Sequence, residues 1–229
     1  MKKIIAISML AATLAATSAF GQGWIAVSSG NSQVFDGFTT VGVSTRNASN
    51  VDIGLFWAAA NTANPMAGLL AFTPSTDNSS TYESFTIAQA WSTLLNASGW
   101  TLAQSPTIGG PVITTGTTRG AVIFNAGSSF DITGTSGGQD IALLEVGWNA
   151  AYADPTAAQT AHSAIGWSYL ASVFAFTGSH LGTSGSDPDF AVVGSLPNNF
   201  GTFPQIPEPS TIALAGLSSL SLLLFRRRK

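Results

Sequence analysis

The chain of 229 residues has no cysteine, which excludes disulfides, thiolate zinc sites and cysteine nucleophiles. Charge is scarce too. Only 8% of the residues are charged, so a solvent-facing surface has to be built from Ser, Thr, Asn, Gln and Gly. The scarcity is uneven. Of the 8 basic residues, Lys2, Lys3, Arg226, Arg227, Arg228 and Lys229 lie near the two ends of the sequence. Between residues 22 and 206 there is no lysine, and two arginines (Arg46, Arg119) face ten Asp and Glu, a net of −8. Such a body lacks the basic footprint that displaces counterions from phosphates, which argues against nucleic acid as a partner. It also lacks the lysines that usually keep sheet edges apart, so weak self-association is expected.

The first residues have the layout of a secretory signal peptide. Met1-Lys2-Lys3 is basic, Ile4 to Ala16 is apolar but short for a membrane span, and Thr17, Ser18, Ala19 and Gly21 are small. Cleavage after Ala19 or after Gly21 satisfies the small-residue rule. The second choice gives a signal over residues 1–21 and a body over 22–206, long enough for one domain with its own core.

Short β-type runs punctuated by Gly, Asn, Asp and Ser dominate that body. Strands are expected over 24–27, 34–38, 40–43, 51–58, 69–72, 100–103, 112–115, 120–125, 130–133, 140–148, 165–176, 190–193 and 200–203. Val51, Ile53, Leu55 and Trp57 fall on one face of their strand, and Asp140 to Trp148 is apolar enough to be central. Two segments read as helices. Ile87, Ala90, Trp91, Leu94 and Leu95 have helical spacing. Asp154-Pro155 supplies an N-cap acceptor and a proline at the first helical position. The expected fold is all-β, a single β-sandwich or jelly-roll-like domain with two short helices.

From Thr211 to Phe225 no charge interrupts the sequence, and Arg226, Arg227, Arg228 and Lys229 follow. At ~1.5 Å per residue a helix here spans about 22 Å, short of the ~30 Å hydrocarbon core. Local thinning and snorkelling arginines absorb that mismatch. A single transmembrane helix is therefore expected over 211–225, within a tail segment of 207–229, with the arginines as a cytoplasmic stop signal. Pro207 and Pro209 impose an extended approach and present Glu208 on a stiff segment at the outer face. The same prolines also suit the start of an ordinary anchor.

Pro207-Glu208-Pro209-Ser210-Thr211, the apolar run and the arginine cluster together resemble the PEP-CTERM sorting signal of exported bacterial proteins. The resemblance covers about the last tenth of the sequence. It implies recognition of Pro207, Glu208 and Pro209 by an exosortase-type processing enzyme, and retention in the inner membrane until processing. It further implies a bacterium that makes extracellular polysaccharide. The stretches Glu145-Val146-Gly147-Trp148 and Gly166-Trp167-Ser168 loosely resemble other β-rich PEP-CTERM proteins, which brings no activity with it.

Catalytic signatures are thin. Gly134-Thr135-Ser136-Gly137-Gly138 matches Gly-x-Ser-x-Gly, but strand-like flanks fit a turn better than a nucleophile elbow. His162 and His180 are isolated. Asp140 and Glu145 are separated by an odd number, so one regular strand sends them to opposite faces, which weakens them as a hydrolytic pair. Asp187 and Asp189 are the best candidates for a hard cation but lack further oxygen ligands at recognisable spacing. Asn47, Asn78 and Asn96 open glycosylation-type tripeptides, which carry little meaning beside a bacterial sorting tail.

A non-enzymatic exported protein is expected, with no cofactor and a structural or adhesive role. It would be anchored with its C-terminus cytoplasmic, then held at the surface or released into extracellular polysaccharide. A carbohydrate-binding module using exposed tryptophans is the alternative, and a secreted hydrolase ranks third.

Overall fold

The computed structural model describes residues 22–27, 34–37, 47–69, 87–177 and 200–202. In chain order these form β1 (Gly23–Ile25), β2 (Val34–Phe35), β3 (Val51–Ala59), α1 (Ile87–Leu95), β4 (Thr101–Leu102) and β5 (Gln104–Ser105). There follow β6 (Gly110–Pro111), β7 (Ile113–Thr115), a 3-10 turn (Phe124–Gly127), β8 (Phe130–Ile132) and β9 (Asp140–Asn149). The last are α2 (Pro155–Thr160), β10 (Ile165–Phe174), β11 (Phe176–Thr177) and β12 (Phe200–Gly201). The regular structure among the described residues is thus mostly strand, with two short helices.

Three long antiparallel strands form a spine. β9 lies between β10 and β3, so that Leu144 faces Tyr169 on one side and Phe56 on the other. The outer edge of β3 is shared, residues 52–54 pairing with β7 and residues 56–57 with β4. A smaller antiparallel sheet places β1 between β8 and β11. β12 runs parallel to β2, and β5 pairs with β6.

The two-residue period of the strands sorts their side chains. Val51, Ile53 and Leu55 of β3 and Ile141 and Leu143 of β9 share one buried cluster with Ile25 of β1 and Phe130 and Ile132 of β8. The alternate residues Phe56, Leu144, Val146 and Trp148 join a second cluster with Trp91 and Leu94 of α1 and Ala158 of α2. The spine is therefore covered on one face by strands and on the other by helices. A strand buried on both faces has no polar parity, and β9 accordingly reads as a near-continuous apolar run. Full burial of each large apolar side chain stabilises the fold by about 1.5–3 kcal/mol before entropy is counted.

The helices dock by narrow stripes. α1 buries Ala90, Trp91 and Leu94. At the start of α2, Asp154 accepts a hydrogen bond from Ala157 N–H at 2.8 Å, and Pro155 fills the first turn. Close packing of helix layer on sheet depends on Gly54. A Cβ there would stand 2.9 Å from Trp148 Cη2 and 3.1 Å from Leu102 Cδ1.

One expected strand is corrected. Residues 120–125 form no strand beyond an isolated bridge at Ile123, and the segment curls into the 3-10 turn. Asn125 and Ala126 take positive φ of 47° and 52° there, a conformation that L-residues do not sustain in a strand. The β5–β6 hairpin, by contrast, was not expected from the sequence. The strands expected over 40–43 and 190–193, all but Leu69 of that over 69–72, the signal peptide and everything from residue 203 lie outside the described residues. Leu69 itself lies in a bend. Among the described residues no helix is long and apolar enough to cross a membrane.

Candidate functional site

Tryptophans offer the first candidate surface, and most of them are committed to the interior. Trp91, Trp148 and Trp167 are buried. Trp91 meets Trp148 edge-to-face at 6.4 Å, and its indole N–H donates to Ser163 O at 2.8 Å. Trp148 donates to Tyr152 O at 2.7 Å. Trp24, Trp57 and Trp100 are half-buried. Trp100 packs edge-to-face on Tyr169 at 6.0 Å and donates to Ala63 O, while Trp57 leans on the strand-side cluster. A sugar platform needs open ring faces on one side of a sheet. Among the described residues the exposed large hydrophobic is Ile123, which is not aromatic.

Three of the carboxylates stand in contrasting situations. Asp131 is buried at the root of the β5–β6 hairpin, accepting from Ser105 Oγ at 2.8 Å and Thr107 N–H at 3.1 Å. Burial opposes its charge, but the bonds from Ser105 and Thr107 outweigh that and hold the carboxyl below its usual range. Asp52 is half-buried, and Thr115 Oγ1 donates to it at 2.6 Å. Burial raises its pKa, with the Thr115 hydroxyl acting in the opposite direction. Both are braces between neighbouring segments.

Glu145 is the third situation. Alternation along β9 puts it on the same face as Ile141 and Leu143, opposite Leu55 of β3 and Ser168 of β10 in the register. It is 1% exposed, and among the described residues neither carboxyl oxygen has a hydrogen-bond partner. Burial pushes the carboxyl up to about 8, so it holds its proton at neutral pH. Asp140 is exposed and on the opposite parity, so the structure does not bring the two together. The sequence pointed to Glu145 as half of a poor pair and missed its burial. The signal was there: both parities of Asp140 to Trp148 are apolar, which leaves a carboxylate no solvent face.

The Gly-x-Ser-x-Gly stretch is a turn between β8 and β9. Gly134 and Gly138 have φ of +89° and +83°, and the Thr135 hydroxyl is spent on Gly23 N–H at 3.0 Å and Ile132 O at 2.7 Å. No helix leaves it, so it has no elbow geometry. His162 ends α2 at a φ of +51°. Among the described residues no group of three His, Asp or Glu could hold a metal. Asp187, Asp189 and His180 lie outside the described residues, as do Pro207, Glu208, Pro209, Arg226, Arg227 and Arg228.

Residues 205–229 match the PEP-CTERM protein-sorting motif. The tail is a PEP-CTERM sorting motif. The match takes in Pro207, Glu208 and Pro209, the apolar run and the arginine cluster. A PEP-CTERM tail supports an exported protein sorted by an exosortase-type enzyme. No curated protein and no solved structure matches the chain.

Proposed function

We propose that the chain is a non-enzymatic surface or matrix protein delivered by its PEP-CTERM tail. The observation that carries this reading is the motif match over residues 205–229, set behind an acidic, lysine-free body. In this reading Pro207, Glu208 and Pro209 are the recognition element, and Arg226, Arg227 and Arg228 hold the membrane helix with its C-terminus cytoplasmic. Residues 22–206 are a β-sandwich whose spine carries helices on its second face. Processing removes the terminal cations and leaves the body at the surface or within extracellular polysaccharide, in a structural or adhesive role.

The buried Trp91 and Trp148, and the carbonyl-bound N–H groups of these two and of the half-buried Trp100, give the carbohydrate-binding alternative no support. The separation of Asp140 from Glu145 by strand parity likewise gives hydrolysis none. The test is mass spectrometry of both ends of the mature chain in cells with and without the exosortase. Loss of the tail only in cells that have the enzyme is expected. Surface-exposed protein that still ends in Arg228-Lys229 overturns the sorting reading and leaves an ordinary anchor.

A further inference from the structure

Glu145 sits where a protein rarely leaves a carboxyl, and among the described residues it has no hydrogen-bond partner. Its strand is flanked by β3 and β10, and both faces of that spine are covered. Its cross-strand neighbours are Leu55, which offers no hydrogen bond, and Ser168, which stands directly opposite yet makes none to it. The next residues on the same parity, Gly147 and Gly166, face each other across the ladder with no side chain to offer. An isolated carboxylate in such surroundings is strongly disfavoured, whereas the protonated acid is a tolerable polar group.

Nothing described on the packed elements offers a counter-charge. β1, β10, β11 and β12 carry no titratable group apart from Tyr169, which alternation on β10 sends to the helix side. On β8, Asp131 is engaged by Ser105 and Thr107. Beside β2, Asp36 accepts from Asn50 Nδ2 at 3.1 Å and has the same sign as Glu145. On the spine itself, Asp52 and Asp140 take the opposite parity. Arg119 lies in the turn that hydrogen-bonds β2 through Gly120 O, and makes contacts of its own.

We infer that Glu145 is a proton lock for the domain: the spine closes around its carboxyl only with the proton in place, so the fold is built to weaken as its surroundings turn alkaline. Folding then takes up a proton. The unfolded chain releases this proton near 4.5 and the folded one near 8, so the contribution is whole below 4.5 and gone above 8.

The test uses the purified full-length protein and Glu145→Gln, which keeps the shape and cannot ionise. Urea unfolding of both is followed from about pH 5 to about pH 9, where one linked proton changes the folded-to-unfolded ratio by up to about tenfold per pH unit. The wild type is expected to lose stability with rising pH relative to the variant, with the difference levelling off above 8. Parallel pH profiles in the two proteins overturn the inference. Should the Gln variant fail to fold, carbon-13 NMR of the glutamate carboxyls in the wild type decides. A buried carboxyl still protonated at neutral pH supports the lock, and ordinary titration of every glutamate overturns it.

Discussion

Gly54 shows how much a single missing side chain can matter. Trp148 reaches across β3 into the helix-side cluster only because nothing projects from that position. Gly54→Ala is expected to force the indole or Leu102 aside and lower stability by about 1–3 kcal/mol, as overpacked cores do. Urea denaturation measures this directly, and an unchanged midpoint would show that the indole shifts freely. Asp131 and Glu145 set opposite limits on pH. Asp131 is held below its usual range, so its contribution is present above 3.8 and is lost as pH falls. Asp131→Asn should therefore flatten the acid limb of the stability profile, measured as melting temperature against pH, and leave the alkaline limb unchanged.

The elements differ in how plainly they were written in the sequence. α2 is announced locally by Asp154-Pro155, and the structure uses both residues as the pattern implies. Removing the cap with Asp154→Ala is expected to cost about 1 kcal/mol, seen as a lower urea midpoint with an unchanged slope. α1 was equally legible, because its stripe needs no partner to be recognised. The β5–β6 hairpin was not, since Gln104 to Pro111 has no apolar alternation and its turn is held from a distance by Asp131. Residues 120–125 looked extended because Val122 and Phe124 alternate, yet the left-handed Asn125 and Ala126 leave no such mark. Strand existence was readable where alternation or a long apolar run declared it. Two-sided burial of β9, and with it the state of Glu145, depended on which layers arrive on either face.

For the whole molecule, the tail was legible because a sorting motif is a local string of residues, read as the proline-bounded Glu208, the apolar run and the arginines. Replacing Pro207, Glu208 and Pro209 together by alanine should leave the body's unfolding unchanged and block processing. The outcome to measure is accumulation of uncleaved chain in the membrane fraction, and normal release would refute the role given to these residues. Stability of the body should peak at mildly acidic pH, between the loss of Asp131 charge and the loss of the Glu145 proton.

The pairing of β3 with β9 also governs timing. Val51 meets Asn149 and Ala59 meets Ile141, so the central ladder joins segments far apart in the sequence. Contacts so distant in sequence form slowly, because loop closure precedes any reward from packing. A chain threading outward with its N-terminus leading cannot close this ladder until β9 has emerged. The same topology that gives the domain its core therefore keeps the chain open until β9 is available, and any export that threads an unfolded chain leaves this ladder to form on the far side of the membrane.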